Sequence, residues 1–331
     1  MPNARGAFAD AGMVVFLLQR ILFGTLAVLA AASVAFVLVW HAPGGPAVGL
    51  AGEYGAPGYL EEVAARYGLD RPGVEVWRDW IVRLTRGDLG VSWREQRPVA
   101  ALILERLPLT AVLVVSAALL AVMFGTAIGA WAAASPRRWP VALFAGFHAV
   151  PSFILAQALV LLLAVWAGLL PVQGIADSRA PATDGLALLV ERARHLVLPV
   201  LAIALHQLCF TALLVRAGVI EQMRLPYATA ARARGLSQAQ TLRRHALPNA
   251  LLPVVALTGV RVGNLVGGAL AIGVAFGLPG VGRLAVSAAL ARDHPVLVGT
   301  VVTACAVAWL ANLLADLLAQ FLDPRIPRPA P

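Results

Sequence analysis

Few residues in this sequence could do chemistry, and most of those lie inside apolar runs. Arg261 stands in the run Leu251–Phe276, with Asn264 three residues further along. An Arg at the centre of a bilayer-crossing helix costs about 2.5–3.5 kcal/mol on insertion scales. It therefore marks a polar pathway that Asn264 would also line, or a residue that pairs with Asp316 or snorkels to an interface. Asn312 and Asp316 share a face of the run Val296–Phe321 at i, i+4, the spacing of a polar contact or of a proton route. His148, His206 and Gln207 are isolated among apolar neighbours and read as satisfied contacts between helices rather than as ligands. Cys209 and Cys305 show no metal or redox spacing. There is no H-E-x-x-H, no carboxylate pair within one run and no G-x-S-x-G, so neither a catalytic nor a metal site is expected. All 26 basic residues are Arg. A Walker A loop needs Lys to reach nucleotide phosphates, and a Schiff base needs Lys as well, so both chemistries are excluded.

The elements that position these residues follow from composition. Hydrophobic residues make up 60% of the 331 and charged ones 13%, with a mean hydropathy of +0.80. Soluble domains carry roughly 45–50% apolar and about 25% charged residues. The surplus of apolar surface requires a lipid solvent. A bilayer needs about 20 largely apolar residues per helix, and six runs qualify: Ile21–Trp40, Thr110–Ala134, Val141–Leu170, Leu196–Val215, Leu251–Phe276 and Val296–Phe321. The expected fold is an all-α integral membrane protein of six transmembrane helices. The first run exceeds the roughly 7–15 residues of a signal h-region and is expected to be an uncleaved anchor.

Orientation follows from the arginines. The N-terminus, the 135–140 turn, the 216–250 loop and the tail together hold 12 Arg against three acids, whereas 41–107, 171–195 and 277–295 hold 13 of each. The excess lies on one face, expected to be cytoplasmic, with both termini there. The pI near 11.0 reports topology rather than nucleic-acid binding, because no basic stripe with interleaved aromatics occurs. Segment 41–107 is expected outside. In it, Leu60, Val63, Ala64 and Tyr67 share one helical face and Trp77, Trp80, Ile81 and Leu84 another. These helices would lie at the headgroups, serve as a platform for an extracytoplasmic partner, or both.

The loop Glu221–Pro253 is the most informative stretch. Pro226 suits a first helical turn, and Ala228, Ala230, Ala231 and Ala233 favour a helix of low surface relief. Gly235 suits a left-handed C′ position. Ser237 and Gln240 make a capping box for a second helix, and Pro248 is expected to end it. Small residues flanked by Arg would make a rigid knob for a partner's groove, or else a solvated basic loop.

This stretch resembles the "EAA" loop of bacterial ABC importer permeases: E-A-A, three residues, Gly, nine residues, I-x-L-P. Thr229, Ala230 and Ala231 take the first three positions, Gly235 the glycine, and Leu247 and Pro248 the final pair. Thr229 replaces the Glu and His245 the Ile, departures found in the dipeptide/oligopeptide/nickel permease family. The chain is similar to that family along nearly its full length, through RYGLDRP (66–72), RGDLGVS (86–92), ERLPLT (105–110), PSF (151–153), FGLPGVGRL (276–284), RDHPV (292–296) and NLLADLL (312–318) with FLDPRI (321–326). Gly45 and Gly273 depart from the family's usual Asp and Glu.

The resemblance implies a type I ABC importer permease fold. Its expected organisation is a cytoplasmic N-terminus at 1–20, a first transmembrane helix at 21–40, an extracytoplasmic segment at 41–107, a core permease domain of five helices at 108–322 and a cytoplasmic tail at 323–331. It also implies coupling helices in the 220–250 loop, with Tyr227, Thr229, Ala230, Ala231, Arg234, Gly235, Leu236, His245, Leu247 and Pro248 at the contact with an ATPase. Expected partners are a second homologous permease, two ATPase subunits and an extracytoplasmic solute-binding protein, in a bacterial inner membrane. No cofactor is expected on this chain, since ATP and Mg would sit on the ATPases. The cargo would be a di- or oligopeptide, nickel or a related solute. In the family an uncharged polar residue is usual at Arg261, which here would meet anionic groups such as a peptide carboxylate. Gly259, Gly263 and Gly267 form a double G-x-x-x-G ladder, expected to pack closely on a neighbouring helix or on the partner permease. An ion-driven transporter is the alternative, but coupling-ion carboxylates and an internal repeat are missing.

Overall fold

The computed structural model of the protein describes residues 4–42, 58–135, 137, 139–177 and 185–322. The turn at 43–46 and the tail from 323 therefore lie outside the described residues. Regular structure among the described residues is helical, apart from one antiparallel bridge between Val91 and Pro98. The helices in chain order are α1 (Ala4–Trp40), α2 (Tyr59–Tyr67), α3 (Gly73–Thr85), α4 (Val99–Ala134), α5 (Trp139–Ala149) and α6 (Ser152–Leu159). They continue with α7 (Gly185–Arg224), α8 (Pro226–Ala233), α9 (Gln238–Thr241), α10 (Leu247–Ala275), α11 (Val281–Leu290) and α12 (His294–Leu322). Widened π-helical turns extend α6 through Val160–Trp166 and α9 through Leu242–Ala246.

Among the described residues, four helices are long and apolar enough to cross a bilayer: α1 over Val15–Trp40, α4, α7, and α12 over His294–Leu317. Helix α5 and the extended α6 meet the same length and composition test only when taken together, as a broken span or a re-entrant loop. The run expected as one helix over 141–170 is broken, with α5 and the extended α6 bent by 103°. Pro151 explains the break. It lacks the N–H that would bond four residues back, its ring clashes with that carbonyl, and it pushes Val150 out of helical geometry. Helix α10 has 29 residues and contains the apolar stretch Gly263–Ala275.

The chain divides into two compact units, at Pro108 within α4, at Pro279 and at Leu310 within α12. In the first, α1, α3 and α12 share a core of Ala32, Trp80, Val298 and Val302. Phe36 stacks on Trp40 at 5.6 Å and on Trp80 at 5.7 Å between ring centroids. The Trp77 indole donates to Ser33 Oγ at 3.1 Å. The tryptophan face of α3, expected at headgroups or open to a partner, is thus turned onto α1, where stacking adds to simple burial. The side chains of Leu60, Val63 and Tyr67 fall outside the described residues. A second cluster joins Val99, Leu102 and Ile103 of α4 to Leu284, Ala288 and Val296.

The same unit contains a fully paired buried charge. Asp293 is 4% exposed. Its carboxylate accepts from Ser92 Oγ at 2.5 Å, from Trp93 N at 3.1 Å and from Arg94 N at 3.3 Å. The bridge at Val91–Pro98 and this carboxylate close the 88–98 loop, and Ser92 Oγ also accepts from Glu95 N.

In the second unit α7 is the axis. Gly125 and Gly129 of α4 bring backbones together: a Cβ at Gly129 would lie 2.6 Å from Ala212 O, and one at Gly125 2.8 Å from Thr211 Cβ. Helix α10 packs on α7 through Val215, Val219, Ala250 and Val254. A Cβ at Gly267 would meet nothing within 4 Å. Among the described residues, a close-packing G-x-x-x-G is thus formed by Gly125 and Gly129 in α4. Gly263 lies on α10 as well, and the surroundings of Gly259 fall outside the described residues.

Candidate functional site

Two places in the second unit gather the residues singled out from the sequence. The first is the hairpin after α7. Leu225 is extended at φ −71, ψ 153, and Pro226 takes the first position of α8. Ala228 and Ala231 are buried, whereas Thr229, Ala230, Arg232, Ala233 and Arg234 are exposed. One face of α8 is thus an anchor and the other a low, basic surface. Gly235 turns the chain at φ +93, a region that suits glycine. Ser237 Oγ accepts from Gln240 N at 3.2 Å, while Gln240 Oε1 accepts from Ser237 N at 2.9 Å, completing the capping box. Tyr227 OH donates to Gln222 Oε1 at 2.7 Å, and Asn249 Nδ2 donates to the His245 carbonyl at 3.0 Å. These bonds tie the hairpin to the helices at both its ends.

Pro248 does not end the second helix. The π-helical turns Leu242–Ala246 run directly into α10, with Leu247 N bonding Leu242 O and Pro248 in the first turn of α10. The widened turn accommodates a residue without an N–H, so the break expected at Pro248 becomes a bulge; such bulges recur at functional sites. His245 and Pro248 are exposed, Leu236 and Leu247 half-buried.

The second place is a cavity of about 90 Å³ between α6, α7 and α10, lined by Ser152, His206, Gln207, Arg261 and Asn264 among others. The two pathway candidates, Arg261 and Asn264, therefore meet at one site. The Arg261 guanidinium carbon lies 3.3 Å from the Phe210 ring centroid, a cation–π contact. Among the described residues no carboxylate is within ion-pairing distance of it, which removes the expected Asp316 alternative. The His148 ring lies tilted against that of His206, with centroids 4.4 Å apart, and approaches the His206 carbonyl through Nδ1 at 3.3 Å.

One expectation is overturned at this cavity. His206 and Gln207 were read as satisfied contacts, yet His206 Nδ1 and Gln207 Nε2 are buried without a hydrogen-bond partner. Gln207 is 4% exposed. A position within a helix does not reveal whether a neighbour comes within bonding distance with an acceptor; here none does for Gln207 Nε2. Phe210 was not singled out at all, because one more aromatic in an apolar run carries no signal by itself. Gly125 and Gly129 did carry one, the same i, i+4 spacing as the ladder in α10.

Comparison with known proteins fixes the class. The model of the family described as "Binding-protein-dependent transport system inner membrane component" matches residues 121–328, and that of the corresponding N-terminal component matches residues 13–114. The chain belongs to this family. It is a permease subunit of an ABC importer, not an enzyme, and ATP hydrolysis resides on separate subunits. A Brucella abortus protein provisionally named as a peptide transport system permease is 34% identical over 318 residues, covering 95% of this chain and 99% of its own length. An oligopeptide transport system permease protein of Bacillus subtilis is 29% identical over 320 residues, and a glutathione transport system permease protein of Salmonella paratyphi A 32% over 319, both with the same coverage.

Proposed function

We propose that this chain forms half of the translocation pathway of an importer for peptides or related solutes delivered by a solute-binding protein. The relatives named for peptide, oligopeptide and glutathione systems support that cargo class. In this reading six spans cross the membrane: α1, α4, the bent α5–α6 pair, α7, α10 and α12. Residues 1–20 and 323–331 are cytoplasmic, 41–107 is extracytoplasmic, and 108–322 is the core permease domain. A second permease pairs with this one around the pathway, and its helices would cover the open face at Gly267. Two ATPases sit below and carry ATP and Mg, while this chain binds no cofactor.

The hairpin α8–α9 is the coupling surface, within the loop 220–250. The observation that carries this role is the division of α8 into a buried face of Ala228 and Ala231 and an exposed face of Thr229, Ala230 and Arg234. A short helix held at both ends moves as a body with α7 and α10, which is what transmission from an ATPase requires. The test is a mild-detergent pull-down of the tagged chain from its membrane with partners identified by mass spectrometry. A second permease and two ATPases are expected, and Gly235→Pro should lose the ATPases while keeping the other permease. Recovery of the wild-type chain alone would overturn the reading.

A further inference from the structure

We infer that the cavity between α6, α7 and α10 is a carboxylate-binding subsite, in which Arg261 and Gln207 grip a free carboxylate of the cargo. The inference rests on the importer reading and adds what the pathway selects for. Its foundation is an imbalance of donors. The guanidinium has five N–H donors and no acceptor. Gln207 lines the same cavity, and its Nε2 amide is buried without a hydrogen-bond partner. Burying a donor without a partner is costly, and native proteins rarely leave such an atom beside a cation with no carboxylate partner. A ligand that brings acceptors pairs with both.

The chemistry of that ligand is narrow. A planar two-oxygen acceptor matches the guanidinium fork and takes two parallel bonds from it. At about 90 Å³ the cavity holds roughly three waters' worth of volume, enough for a carboxylate and its neighbouring carbon but not for a peptide. It is a subsite for one end of a cargo. A lipid headgroup phosphate is excluded by depth. Arg261 is the central residue of α10, fourteen from Leu247 and fourteen from Ala275, or about 21 Å from either helix end. The Phe210 ring against the guanidinium fixes its plane and partly stabilises its charge while the subsite is empty.

The test uses the whole transporter purified in nanodiscs. Its thermal midpoint is measured with N-acetyl-dialanine or with the corresponding C-terminal amide, at equal concentration and ionic strength. The acid should raise the midpoint and the amide should not. Apparent affinity for the acid should fall at least about tenfold in Arg261→Gln, since a hydrogen bond to a charged group contributes about 1.5–3 kcal/mol. Arg261→Lys, a charge without a fork, should retain an intermediate response. Gln207→Leu should weaken the response while folding normally, which keeps the test valid if the Arg261 variants fold poorly. Equal shifts from acid and amide, or a shift that survives in both Arg261→Gln and Gln207→Leu, would overturn the subsite. Import into vesicles separates the two readings. Failure of the wild-type transporter to import under ATP would sink the importer reading whatever the binding data show. Wild-type import rates by Arg261→Gln, alongside lost acid binding, would overturn the subsite's place in the pathway.

Discussion

Asp293 and Gln207 are equally buried, each 4% exposed, and their surroundings have opposite characters. Asp293 accepts three hydrogen bonds from the 88–98 loop. Gln207 lines a cavity, and its Nε2 amide makes no hydrogen bond there. A buried polar group with every bond made is architecture, because its burial is compensated on the spot. One with bonds left unmade keeps an unmet demand that only a ligand or water can supply. The difference separates the part of this permease that holds its shape from the part that handles what passes through it.

The sharpest way to break that comparison is to truncate each residue. Asp293→Ala would strand Ser92 Oγ and two backbone N–H groups, and a loss of at least about 3 kcal/mol is expected from bonds worth about 1.5–3 kcal/mol each to a charged acceptor. Gln207→Leu removes an unpaired donor and should leave stability unchanged or raise it by up to about 1 kcal/mol. Chemical denaturation in detergent, followed by tryptophan fluorescence, reads both. Similar losses in the two variants would mean that Gln207 is as structural as Asp293.

A second contrast sets the two glycine ladders against each other. Gly129 faces Ala212 O, with 2.6 Å left for an added Cβ, so Gly129→Val must push α4 off α7. Overpacking of this kind costs typically about 1–3 kcal/mol. Gly267 has open space, and Gly267→Ala should leave the isolated chain as stable as before, or slightly more so through helix propensity. If Gly267→Ala instead weakens recovery of the second permease in the pull-down, the open face is the seat of that partner.

Much of this was legible in the sequence, and what was not has physical causes. The α8 helix, the left-handed Gly235 and the capping box of Ser237 with Gln240 could all be read because each depends on a few adjacent residues. The break at Pro151 and the continuation through Pro248 show the limit of local rules. Both prolines lack an N–H, but the first precedes a helix that leaves at 103°, while the second is absorbed by a π-helical turn. Which outcome prevails depends on packing from elsewhere in the chain. The pathway candidates Arg261 and Asn264 were visible because charge and amide stand out in an apolar run. Their companions Gln207, His206 and Phe210 were not, because partnership across helices is a tertiary property. The turned-in tryptophans of α3 belong to the same class: periodicity fixes a face, not what the face meets.

The hairpin gives a smaller effect, confined to local structure. Ser237→Ala removes the side chain that caps α9, and caps of this kind contribute about 0.5–2 kcal/mol. Because α9 is exposed along Gln238–Gln240, the change should appear as faster amide exchange in α9 and not as a lower global midpoint. Protection in the 88–98 loop should stay as it was, since no bond there involves Ser237.

The smallest expected effect concerns a carboxylate that is neither buried nor unpaired. Arg71 Nη1 donates to Asp79 Oδ2 at 2.9 Å on the exposed side of α3. That hydrogen bond, outweighing the opposing desolvation, holds the Asp79 carboxyl below its ordinary value. Its folded pKa therefore lies under the unfolded value of about 3.9. The stabilisation is fully present above the unfolded value and is lost as the pH falls through the folded one. Wild type and Asp79→Asn should differ by a small, constant amount from about pH 7 down to about pH 5 and converge in stronger acid, as midpoints measured across that range would reveal. Solvent screens an exposed pair, so the gap should also shrink in high salt. A gap that widens in acid would reverse the sign of the argument, and one insensitive to salt would mean that Asp79 acts through packing, as the buried groups of its unit do.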